Sequence, residues 1–175
     1  MRLLLFTLII FAFHIEASTS LRASLFFDSS ISITNENGVI SSGDISYRNG
    51  DFLYVLSYPL NQIIASKKSE LFVQDNDFNQ VIVYNNDKSF FLQELLNGGY
   101  ELESITCPTE CLRIKPNNNS GFKDAMLSMT DETIEWIRLL DIKDEIIFIK
   151  FENFKIESTN ITYVIPENYE VIKND

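Results

Sequence analysis

A period of two restricts this chain more than any other feature. Leu25, Phe27, Ile31 and Ile33 fall on one side of an extended run, with Asp28, Ser30, Ser32 and Thr34 on the other. Successive side chains on a strand point to opposite faces, so this alternation reads as a half-buried strand. Comparable short runs follow a turn at Asn35 to Gly38, at 39–48, 52–58, 62–66, 70–74 and 80–84. Later runs occupy 100–106, 112–115, 124–129, 146–151, 155–157 and 161–165. Segment 130–141 opens with a helix-start signature, Thr130-Asp131-Glu132. Because Ile134, Trp136, Arg138 and Leu140 then alternate around Glu135, it is read as strand. Connections such as Asn49-Gly50-Asp51 and Asp75-Asn76-Asp77 are tight, and there is no β-α-β alternation. The pattern predicts a mainly β chain, an antiparallel meander wound into a large curved sheet, closed or nearly so.

One segment departs from it. Ser89 can cap a short helix over 90–97 that stops at Gly98 and Gly99, with Gln93, Glu94 and Asn97 on one arc and Phe90, Phe91, Leu92, Leu95 and Leu96 around the rest. So wide an apolar surface has to be covered, and on an all-β chain the cover is the concave face or open mouth of the sheet. The helix is either a lid or plug over a hollow or a core helix that fills it.

The N-terminus sets the compartment. Met1 and Arg2 precede the apolar run Leu3 to Phe13, the length of a secretory h-region and too short for a hydrocarbon core of about 30 Å. Cleavage is expected after Ala17, giving a signal peptide at 1–17 and a single domain at 18–175. No cysteine lies near that boundary, so no lipid anchor is expected and the product is exported and soluble. Cleavage would also remove His14, the sequence's one histidine. Without imidazole, a Ser or Cys nucleophile lacks its commonest base and zinc its commonest nitrogen ligand. No enzyme activity, catalytic residue, metal or cofactor is therefore expected. The carboxylates of Asp75 with Asp77, and of Asp141 with Asp144 and Glu145, sit in polar turns and read as solvated turn residues. A formal charge of −11 argues against nucleic acid as a partner. Cys107 and Cys111 flank Pro108-Thr109-Glu110 at a hairpin tip, where an oxidising compartment lets them close a small ring that contributes about 2 kcal/mol.

The series Gly43-Asp44-Ile45-Ser46-Tyr47-Arg48, Phe52-Leu53-Tyr54 and Tyr58-Pro59-Leu60-Asn61-Gln62-Ile63-Ile64-Ala65-Ser66 resembles the LolA family of periplasmic lipoprotein carriers. Leu71-Phe72-Val73-Gln74-Asp75, Phe78-Asn79-Gln80-Val81 and Ile161-Thr162-Tyr163-Val164-Ile165-Pro166 continue the likeness. The resemblance implies an unclosed antiparallel β-barrel with a short helical lid over a concave hydrophobic face. It implies the acyl chains of lipoproteins as cargo, an inner-membrane ABC transporter that loads a monomeric carrier, and an outer-membrane receptor that unloads it. It places Arg48 at a lid latch, Phe52, Tyr54 and Leu56 in the acyl cavity, and Phe90, Phe91 and Leu95 as the lid's contribution to it; strand alternation adds Ile64, Phe72 and Val81 to the cavity. Only about seven residues separate Ala17 from Leu25, where the family has an amphipathic helix, and Asn49 and Lys68 replace a usual proline and glycine. A lipid-sensing domain of the same fold is the alternative reading.

Overall fold

The computed structural model describes residues 26–67, 70–85, 91–96, 100–118, 120–131, 133–156 and 160–174. The expected signal peptide lies outside them, as do Lys68, Ser89, Phe90, Asn97, Gly98 and Gly99, and of Phe91 and Glu94 only the backbone is described. The strands are β1 (Phe26–Asn35), β2 (Gly38–Arg48), β3 (Asp51–Tyr58), β4 (Gln62–Lys67), β5 (Glu70–Asp75) and β6 (Gln80–Asn85). After the helix α1 (Phe91–Leu96) come β7 (Glu101–Thr106), β8 (Glu110–Lys115), β9 (Phe122–Thr130), β10 (Thr133–Asp141), β11 (Ile146–Lys155) and β12 (Glu170–Asn174).

All twelve strands form one open, curved sheet in the order β12-β6-β5-β4-β3-β2-β1-β11-β10-β9-β8-β7. Two meanders, β1 to β6 and β7 to β11, are joined where β1 pairs with β11. Since β6 lies beside one edge strand and β7 is the other, the connection containing α1 runs from one side of the sheet to the other.

Period two builds the interior. Phe27 lies opposite Tyr47, Tyr47 opposite Phe52 and Ile45 opposite Tyr54. In the other direction Ile33 faces Ile149, Ile149 faces Ile137, Ile137 faces Leu127 and Leu127 faces Leu112. One apolar face thus spans the sheet from β3 to β8, and Leu92, Leu95 and Leu96 of α1 are buried in the same cluster. Gly43 sits opposite Leu56 at a register shift, where a Cβ would lie 2.1 Å from the Val55 carbonyl oxygen. The absence of a side chain is what lets β3 approach β2 there.

Three strand expectations need correction. Lys155 ends β11 and does not open a new strand. Residues 161–166 are irregular. Their buried aromatic, Tyr163, packs across the sheet on Phe72 with ring centroids 5.1 Å apart, and its hydroxyl donates to Gln74 Oε1 at 3.0 Å. β12, which the pattern missed, pairs parallel with β6, so the sheet is not wholly antiparallel. The chain between the two parallel strands includes α1 and β7 to β11, and the strap carrying Tyr163 is the last part of it before β12.

Candidate functional site

The face that carries Phe52, Tyr54 and Leu56 is the candidate site. These residues alternate along β3 with Leu53 and Val55, which places all three inward; Phe52 and Tyr54 are 0% and 1% exposed. Ile64 pairs with Tyr54 and is half-buried against the same cluster. Tyr54 brings one polar group into this apolar surface, and its hydroxyl lies 2.7 Å from Ser41 Oγ. Burial raises its pKa above the usual tyrosine value, and the Ser41 hydrogen bond opposes part of that shift.

Phe72 and Val81, expected in the acyl cavity, do not share that face. Ile64 faces Val73, so Leu71 and Val73 share the inner side of β5 and Phe72 points the other way. Phe72 pairs with Val83 and Gln74 with Val81 on that outer side, beneath the Tyr163 strap. The physical reason is that β5 and β6 bury both faces. Consecutive apolar residues at 71–73 and 81–83 therefore hide which face is which.

Helix α1 lies on the inner face through Leu92, Leu95 and Leu96, each 2% exposed or less. Leu95 thus reaches the face assigned to it, while Phe90 and the Phe91 side chain fall outside the description. Gln93, on the polar arc of the helix, holds it to the sheet. Its Nε2 donates to the Gly50 carbonyl at 2.7 Å and to Ser66 Oγ at 2.9 Å. Sequence reasoning assigns no role to Gln93; the signal available is an amide beside Glu94 on the narrow polar arc of a mostly apolar helix.

Arg48 ends β2 beside the same turn. Its guanidinium donates to Asn160 Oδ1 at 2.5 Å and lies 5.4 Å from the centre of the Phe26 ring. Among the described residues its hydrogen-bonding partner is the segment after β11, whereas the amide that joins the turn to α1 is that of Gln93. Tyr47, whose hydroxyl is hydrogen-bonded to the Gly50 backbone, has its pKa pushed up to about 12, chiefly by burial.

Asp75 and Asp141 hold their own turns, whereas Asp144 pairs with Lys123 at 2.6 Å. Asp75 Oδ1 accepts the amides of Asp77 and Phe78, and its pKa is lowered mainly by the hydrogen bond from Gln62. Asp141 Oδ1 accepts the amides of Lys143 and Glu145. Cys107 and Cys111 form the expected disulfide at the β7–β8 tip, with Cα atoms 6.0 Å apart. Among the described residues no helix is long and apolar enough to cross a membrane, and no group of three or more His, Cys, Asp or Glu side chains could hold a metal ion.

No family model matches the sequence. The chain is 24% identical over 150 residues to the outer-membrane lipoprotein carrier protein of Francisella tularensis subsp. tularensis (strain WY96-3418), covering 78% of this chain and 73% of that protein. The same figures hold for the protein of that name in Francisella tularensis subsp. holarctica (strain OSU18). The chain is LolA-like. Among solved structures, an uncharacterized conserved protein from Thermus thermophilus matches with a TM-score of 0.56 and 16% identity, covering 87% of this chain and 92% of that one, which shows a shared fold. A LolA superfamily protein from Nitrosomonas europaea matches at TM-score 0.41 and 10% identity over 78% of this chain and 87% of its own.

Proposed function

We propose that this protein is a periplasmic carrier of lipoproteins. It takes acylated cargo from an inner-membrane ABC transporter, shelters the acyl chains against Phe52, Tyr54, Leu56, Ile64 and Leu95, and passes the cargo to an outer-membrane receptor. The observation that supports this reading is an apolar face many strands wide, covered by a helix of only six residues that one glutamine ties down. In the empty protein α1 acts as a lid, and its leucines occupy the space that cargo would take.

The energetics favour exchange. Burial of three leucines contributes about 5 to 9 kcal/mol at roughly 1.5 to 3 kcal/mol each. An acyl chain of about 16 carbons gains about 0.8 kcal/mol per CH₂, more than 10 kcal/mol in all. One chain can therefore displace the helix, and further chains tighten the complex. Gln93 sets how firmly the lid closes, and Arg48 fixes the segment at Asn160 that borders the same turn.

The test is to mix the purified protein with a triacylated lipopeptide and with the same peptide unacylated, then sediment aggregates. Retention of the acylated peptide in the supernatant as a one-to-one complex supports transport. Sedimentation of the acylated peptide regardless of the protein refutes it.

A further inference from the structure

The sheet divides between β10 and β11. Their ladder runs from Leu140 opposite Ile146 to Trp136 opposite Lys150 and stops there. Beyond that point β10 continues along β9 to Thr133, and β11 continues along β1 to Lys155. Each strand carries a bulge just past the last shared pair. Glu135 is the extra residue against β9, and β11 gains one against β1 near Asn153, whose φ is 54°. A bulge bends its strand and increases the local twist, so bulges on facing strands turn them apart.

The resulting fork holds a cavity of about 440 Å³, within the roughly 300–1,000 Å³ range of small-molecule sites. Trp136, Phe148 and Lys150 line it from the outer side of the sheet. Ile134 and Phe151 belong to the inner apolar cluster, and Phe154 packs against it. The cavity therefore abuts the edge of the apolar cluster to which the α1 leucines belong.

The walls select the guest. Glu135 accepts the hydroxyls of Ser128 and Thr130 at 3.0 and 2.9 Å, and Lys150 pairs with Glu152 at 2.6 Å. With both charges paired inside the chain, the lining is mostly aromatic and aliphatic, with Thr133 and Asn153 as its neutral polar residues, which suits an apolar guest. A peptide strand fits poorly, because the two bulges take the facing backbones out of the register that a ladder requires.

We propose that the β10–β11 fork is a second acyl site, a side opening through which one straight aliphatic chain reaches the inner face while α1 stays in place. This rests on the carrier reading. The chain could belong to a lipoprotein or to a free fatty acid, since both present the same chemistry to the fork.

Trp136 is the sequence's one tryptophan and lines the fork, so its fluorescence reports occupancy there. The full protein is titrated with 9,10-dibromostearate and with a lipopeptide bearing brominated acyl chains, while equilibrium dialysis measures total binding of each probe. The expected result is saturable quenching of Trp136 by both. Thr133→Phe, which places a ring in the cavity, should weaken the quenching titration by about tenfold and leave dialysis binding in place. Thr133→Met fills less space and should fall between the two, and the wild-type titration needs no variant at all. Binding in dialysis without quenching, or equal quenching in wild type and Thr133→Phe, overturns the fork and leaves the carrier reading standing. Absence of binding in dialysis overturns both. Quenching by stearate alone overturns use of the fork by lipoprotein cargo.

Discussion

Replacing Gln93 by alanine removes its two hydrogen bonds to the sheet, one to the Gly50 carbonyl and one to Ser66 Oγ. A net hydrogen bond contributes about 1 kcal/mol, so the closed position loses about 2 kcal/mol. That shifts the ratio of closed to open helix by about 30-fold. The three leucines still contribute about 5 to 9 kcal/mol, so α1 remains mostly in place. A ligand that binds only the open form gains whatever the open fraction gains. Gln93→Ala should therefore bind a triacylated lipopeptide about 30-fold more tightly even though the protein itself is less stable. Titration calorimetry measures the affinity. Native-state hydrogen exchange at the Leu95 and Leu96 amides measures the opening, which should cost less free energy than exchange at Ile149 in the sheet centre. If α1 were an ordinary core helix, its amides would exchange only with global unfolding and the variant would bind no better. Unchanged or weaker affinity in Gln93→Ala would refute the reasoning.

Further outcomes follow from other contacts. Arg48→Leu loses the Asn160 hydrogen bond and the Phe26 contact; it should be isolated with more bound acyl chain than wild type and deliver less to acceptor membranes, and equal loading and delivery would make Arg48 a plain strand-end residue. Tyr163→Phe leaves Gln74 Oε1 without the Tyr163 donor and should cost about 1 to 3 kcal/mol in urea denaturation, whereas an unchanged midpoint would show that the strap is not fixed there. Burial raises Tyr47 and Tyr163 to about 12. Because the folded values exceed the ordinary tyrosine value, their contribution is complete below about pH 10 and is lost as pH rises through about 12. Denaturation midpoints should fall across that window and fall less in Tyr47→Phe, and a flat profile to pH 12 would contradict the burial of both hydroxyls. Gly43→Ala meets the Val55 carbonyl oxygen and should destabilise by more than about 2 kcal/mol; a neutral effect would mean that β2 and β3 separate there freely.

Legibility in the sequence followed the number of buried faces. Along β1 and β3 one face is polar or more exposed; alternation points Phe27, Ile31 and Ile33 to the interior, the family resemblance points Phe52, Tyr54 and Leu56 there, and the structure buries each of them. Along β5 and β6 the strap covers the second face, and the unbroken runs at 71–73 and 81–83 carry no parity signal. The expected alternation points Phe72 and Val81 inward, whereas the register turns both outward. β12 is exposed along its whole length and pairs with a strand 90 residues earlier, so no local pattern announces it. The partner of Arg48 is similarly remote, 112 residues along the chain. The helix was visible as an apolar run, but the residue that fastens it, Gln93, looked like an ordinary solvent-facing amide. The fork was invisible because a bulge depends on how neighbouring ladders disagree, which only the assembled sheet reveals.

The proposed carrier holds acyl chains against the inner face of the sheet. A lipopeptide with a diazirine in its acyl chain, photolysed in complex with the protein and mapped by mass spectrometry, tests it directly. Adducts on Phe52, Tyr54, Leu56 and Leu95 are the predicted result. Adducts confined to the outer face, at Phe72 or Tyr163, or none at all, would contradict it.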